Sequence, residues 1–204
     1  MKKHLFFFTG AKTFGCFLSA VILAVFLVPS KLFAQTKTMS SDSGKMLSPM
    51  AQPAAIKTYP RAVGYLSFIF PLVTVSNTTT FDFSSSATTI GFPIGVNVLY
   101  SDHFGFSYEF TPNIKSTNGP TGTSKLNDIL FDPGIMFRFQ HGFTLIPRLA
   151  FDTNGRYGFT PVFNQVYLRT KDVNYFVAVS LPARFGNSES SSIGLNLQIG
   201  FIFN

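Results

Sequence analysis

Three histidines, one cysteine and nine carboxylates are the residues with which this chain could do acid–base, nucleophilic or metal chemistry. Past residue 34 only His103 and His141 remain of the histidines, and no Gly-x-Ser-x-Gly elbow occurs near them or elsewhere. A hydrolytic nucleophile must touch its base. A metal centre needs several His, Cys or carboxylate ligands at short spacing, and no run here has that spacing. Gly91-Phe92-Pro93-Ile94-Gly95 is glycine-rich but lacks the lysine and the following helix of a phosphate cradle. The expectation is a protein that is not an enzyme, with no catalytic residue, no cofactor and no metal. What remains is a set of charges in otherwise uncharged surroundings, Glu109, Asp132 and Asp152 with Arg138, Arg148 and Arg184, and its meaning depends on the elements that carry it.

Charged residues are 12% of the chain, while phenylalanine alone numbers 26; a typical soluble domain carries about twice that charge. The net charge of +7 is unevenly spread, because residues 1–34 hold four lysines and no acid. Residues 35–204 carry 12 basic against 9 acidic residues, leaving +3. Basic residues that thin out in this way make no nucleic-acid footprint, so no nucleic-acid partner is expected. Lys2 and Lys3 are followed by an apolar run from Phe14 to Pro29 and by Ser30-Lys31-Leu32-Phe33-Ala34. A charged start, a short apolar core and a small residue at the cut make residues 1–34 a signal peptide, cleaved between Ala34 and Gln35. The run is too short to span a bilayer, which takes about 20 residues. Cys16 precedes the apolar core, so it is not placed for lipidation, and the mature chain has no cysteine. Residues 35–63, rich in Ser, Thr, Lys, Met, Pro and Ala without periodicity, read as a flexible tail.

From Gly64 the period is two. Ile193, Leu195, Leu197, Ile199, Phe201 and Phe203 alternate with Ser192, Gly194, Asn196, Gln198, Gly200 and Ile202, and similar runs recur upstream. Eight strands are predicted, at about 64–74, 88–100, 103–114, 126–139, 143–152, 156–169, 173–185 and 192–204. Alternate connections are tight (101–102, 140–142, 170–172) and the others are mostly longer, except Thr153-Asn154-Gly155. Short turns on one side and loops on the other are the pattern of an outer-membrane barrel, turns in the periplasm and loops outside. The second face of these strands is Gly, Ser, Thr, Ala and Asn rather than Lys and Glu, which fits lipid outside and a filled lumen within. A sheet in hydrocarbon must close. The predicted fold is therefore all-β: a closed, eight-stranded, antiparallel up-and-down transmembrane barrel over 64–204.

These strands, and above all Ser192–Asn204, resemble the small eight-stranded outer-membrane β-barrels of the OmpA and OmpX type. Proteins of that kind end in an alternating strand closed by an aromatic residue that the barrel-assembly machinery reads; here Phe203 is that aromatic and Asn204 follows it. The resemblance implies export to the cell outer membrane, with outer-membrane lipid and, through strand 192–204, the assembly machinery as partners. No tryptophan is present, so Tyr100, Tyr108, Tyr157, Tyr167 and Tyr175 would form the interfacial girdle alone. The charges Glu109, Asp132, Arg138, Arg148, Asp152 and Arg184 share the inward face and read as a paired plug in a narrow lumen. A non-enzymatic envelope or surface protein follows; a narrow channel for small solutes and a lipid-modifying enzyme are the rivals. Prolines 71, 93, 112, 133, 147, 161 and 182 put one in each of the first seven strands, predicting bulges, and alternation slips near Asn164-Gln165.

Overall fold

The computed structural model describes residues 58–82, 87–117 and 122–203. The signal peptide, the tail up to residue 57, the loop tips at 83–86 and 118–121, and Asn204 lie outside the described residues. The strands are β1 (Arg61–Val75), β2 (Thr79–Phe81), β3 (Ala87–Gly91), β4 (Ile94–Leu99), β5 (Phe104–Thr117), β6 (Ser124–Arg138), β7 (Phe143–Asp152), β8 (Arg156–Arg169), β9 (Val173–Ser180), β10 (Ala183–Gly186) and β11 (Ser192–Phe203). Every pairing is antiparallel, each strand lies against its sequence neighbour, and β11 returns to β1 from Tyr65↔Ile202 to Val75↔Ile193. β3 with β4, and β9 with β10, are single staves, so the wall is a closed barrel of eight staves. The fold class predicted from alternation is the one observed. Among the described residues no helix is long and apolar enough to cross a membrane.

The two split staves break at Phe92-Pro93 and Leu181-Pro182. Register is unchanged across both, since Leu66↔Ile94 and Ile69↔Gly91 keep one alignment, as do Ala183↔Phe159 and Val162↔Ser180. Carbonyls still bond across the breaks, Ser67 N–H to Pro93 O at 3.0 Å and Gly194 N–H to Pro182 O at 2.8 Å. Proline therefore removes one donor from the ladder and nothing more. True register shifts fall at Pro71/Val73, Asn113/Ile114 and Val166/Leu168. The last lies two residues beyond the slip seen in the sequence. The first two adjoin Pro71 and Pro112, and each inserts one extra residue in one strand.

Two sequence expectations need correction. β1 begins at Arg61, inside the segment read as tail up to residue 63, because Arg61, Ala62 and Val63 pair with Leu99, Val98 and Asn97; pairing decides where composition does not. Tyr108 lies at the level of Val96 and Pro133, well inside the wall, and so belongs to no girdle at a barrel end.

Twenty-four large apolar side chains are exposed, among them Val96, Phe110, Leu149, Phe159 and Ile199. Polar residues such as Ser67, Ser107, Glu109, Thr160 and Gln198 are buried inside. This inversion is what a barrel in hydrocarbon requires; a soluble monomer rarely exposes apolar patches beyond a few hundred Å².

Candidate functional site: a polar plug between two cavities

At mid-height the lumen is crossed by one polar layer. Glu109 of β5 is wholly buried and Arg148 of β7 nearly so, with Arg148 Nη1 2.7 Å from Glu109 Oε2. Tyr65 of β1 donates its hydroxyl to the same oxygen at 2.7 Å, and Arg148 Nη2 donates to Tyr65 Oη at 3.0 Å and to Ser107 Oγ at 3.1 Å. Thr111 donates to Glu109 Oε1 at 3.2 Å. Gln198 of β11 donates to Ser67 Oγ at 2.8 Å and to Glu109 Oε2 at 3.5 Å. A carboxylate buried among so many donors has its charge compensated and its lone pairs filled, the two conditions a buried ion pair needs.

The wall is shaped for this layer. Gly95 faces Tyr65 and Gly134 faces Arg148 across adjacent staves. A Cβ at Gly95 would fall within the Tyr65 ring, and one at Gly134 would meet Arg148 Cγ at 2.6 Å. Glycine is needed here for room, letting a long side chain lie across its neighbour toward the axis.

The six charges singled out from the sequence do not form one network. Glu109 and Arg148 make the central pair. Asp132 is in register with Glu109 and buried, with one carboxylate oxygen lacking a hydrogen-bond partner; Arg148 and Arg184 attract it electrostatically. Arg184 donates to Thr160 Oγ1 at 2.9 Å. Asp152 closes the turn at the loop end, accepting the backbone N–H groups of Asn154 and Arg156 at 2.9 Å each. Arg138 lies at the turn end, far down β6 from the plug. Sequence reasoning missed Tyr65, Ser107, Thr111 and Gln198, although all occupy inward alternation positions. It also missed Arg156, whose Nη1 lies 3.1 Å from Glu189 Oε2. Among the described residues no group of His, Asp and Glu is placed to hold a metal. His103 and His141 sit at tight turns, His103 with Nδ1 3.3 Å from Arg138 O and His141 at φ 60°.

A cavity lies on either side of the plug. The one at the turn end has a volume of about 220 Å³ and reaches Tyr65, Arg148 and Gln198. The one at the loop end, about 280 Å³, reaches Thr111 and is lined by Asp82, Asp128, Asp152, Arg156 and Arg184.

No protein-family model matches the chain, and no curated protein sequence does. Among solved structures, the de novo designed protein TMB2.3, determined in solution by NMR, aligns at 13% identity and a TM-score of 0.38, covering 70% of this chain and 94% of that one. The outer membrane protein OprG from Pseudomonas aeruginosa aligns at 11% identity and a TM-score of 0.36, covering 70% of this chain and 93% of that one. At such scores the barrel rests on this chain's own strand pairing.

Proposed function

We propose that this chain is a non-enzymatic integral protein of the cell outer membrane, a surface or envelope barrel whose lumen is shut by its own side chains. The observation that carries this reading is the closed eight-stave wall with an apolar exterior and a fully bonded polar layer across its axis. Eight strands enclose only the space that side chains can fill. A signal peptide cleaved at Ala34-Gln35 would export the chain, outer-membrane lipid would surround it, and the assembly machinery would read strand 192–204. His103 and His141 at separate turns supply no base beside a nucleophile, which supports the absence of catalysis.

A second reading has one specific observation in its favour. Two cavities separated by a single layer would form a continuous path if that layer opened, which is a channel. Planar-bilayer recording on refolded protein decides between them. The plugged barrel gives no steady current. Stable, ion-selective currents through the wild type, with Arg148→Ala altering selectivity and not stability, would put the channel first.

A further inference from the structure

The turn-end cavity has a charge balance unlike the rest of the lumen. Arg61, Arg138 and Arg169 line it together with Arg148, and no aspartate or glutamate does. Arg148 is neutralised by Glu109; the other three form no ion pair among the described residues. Asp102 accepts the Tyr59 hydroxyl at 2.6 Å and is not part of the cavity wall.

Arg169 reaches this cavity only because of a bulge. Along β8, Thr160, Val162, Asn164 and Val166 face inward, and strict alternation would turn Leu168 in and Arg169 out. The register shift between Val166 and Leu168 makes Tyr167 the extra residue, so Tyr167 and Leu168 face outward and Arg169 faces in. Its guanidinium lies over Gly142, where a Cβ would meet Nη2 at 2.7 Å. A bulge that re-aims one side chain is a device found beside binding sites.

Above the arginines the wall turns apolar, with Val63, Leu99, Met136 and Phe176 among its buried cluster. One inward step deeper than Leu99, Asn97 is 5% exposed, and its side-chain oxygen has no hydrogen-bond partner. That step is two strand residues, about 5 Å along the axis once strand tilt is included. The cavity thus offers cations at its mouth, an apolar wall, and an unfilled acceptor within.

We infer that this cavity binds a small organic monocarboxylate, its carboxylate held by Arg61, Arg138 and Arg169, its apolar body against Met136 and Phe176, and a hydroxyl at its far end donating to Asn97 Oδ1. An aromatic hydroxy acid has that span. Cations that lack a partner bind a carboxylate in charge-assisted, often bidentate, hydrogen bonds, and a buried acceptor rewards a ligand that donates to it.

The test is calorimetric titration of the protein in phosphatidylcholine nanodiscs with 4-hydroxybenzoate. One saturable site per barrel is expected. Benzoate, lacking the donor, should bind about tenfold more weakly; tyramine, which replaces the carboxylate by an ammonium, and inorganic phosphate, which lacks the body, should not compete. Arg138→Gln/Arg169→Gln should lose about tenfold or more in affinity. Asn97→Leu should reduce 4-hydroxybenzoate to the level of benzoate while benzoate itself is unaffected. Arg184→Gln, in the other cavity, should change nothing. Absence of a saturable site, equal binding of tyramine, or the same affinities in the arginine double variant and in Asn97→Leu would each overturn the proposal. The analogue comparison is made on wild-type protein, so it stands even where a variant fails to refold.

Discussion

At the scale of single residues, the plug sets the sharpest expectations. Arg148→Ala leaves Glu109 buried with its main counter-charge gone, a change that costs about 3–5 kcal/mol when water cannot enter. Replacing Glu109 and Arg148 together by methionine should cost much less than the single change, because no charge is left uncompensated. Denaturant unfolding in detergent of the two single variants and the double variant measures that coupling, and additive costs would mean that the pair is not the centre of the layer. Gly95→Val should have a similar signature without touching a polar group: the side chain would occupy the Tyr65 ring position, and the barrel should lose stability and the Tyr65–Glu109 bond together. Period-two alternation made the inward positions of Glu109 and Arg148 legible from sequence. It did not reveal their contact. Which inward residues meet depends on stave order and shear, which bring Tyr65, Ser107, Arg148 and Gln198 to one level from four separate strands. Tyr65 was also disguised by its type, since a tyrosine in such a strand reads as part of a girdle rather than as a hydroxyl donor in the lumen.

At the scale of elements, prolines act in two ways. At Pro93 and Pro182 register continues and only a donor is missing; beside Pro71 and Pro112 the ladder shifts by a residue. Pro182→Ala should therefore keep the β10–β11 pairing at Ala183↔Ile193 and regain a bond to Gly194 O. The new bond contributes about 0.5–1.5 kcal/mol, and the freer unfolded chain offsets about 0.4–1 kcal/mol of it. Stability should change by less than about 1 kcal/mol, and the new amide should be protected in hydrogen exchange; rapid exchange at residue 182 would mean that the stave is open there. The strands themselves were largely legible, and Phe143–Asp152 and Arg156–Arg169 have the bounds that alternation predicted. The β8 bulge was visible because it breaks the alternation of large residues. The bulge near Asn113 was not, because its polar neighbours leave no parity to violate. The start of β1 was hidden for a different reason: Arg61-Ala62-Val63 has no pattern of its own and becomes strand by pairing with β4.

At the scale of the molecule, the exposed apolar belt predicts where charge is tolerated. Leu149 points outward beside the buried Arg148 and is 56% exposed; Leu149→Arg should cost about 2–4 kcal/mol at the bilayer midplane. The same substitution at Asn187, exposed in the turn after β10, should cost almost nothing, and equal costs in folding titrations would remove the belt from the hydrocarbon. The orientation proposed for the barrel is tested with single cysteines, which a cysteine-free mature chain permits. Ser190→Cys should react with an impermeant thiol reagent on intact cells and His141→Cys should not; the reverse result would invert the topology.

The sequence distances within the plug bear on how such a barrel is made. Gln198 meets Ser67 across 131 residues, Arg148 meets Tyr65 across 83, and Tyr65 meets Glu109 across 44. The bonds to Gln198 cannot form while β11 is apart from β1, because donor and acceptors then stand at opposite edges of an open sheet. Until the edges join, the Glu109 carboxylate must keep water in place of the donors it later acquires, since a bare charge in hydrocarbon is prohibitive. Zipping of the β1–β11 seam and expulsion of that water are consequently one event, and it comes last: the growing sheet remains wet along its inner face until the final strand arrives to dry it.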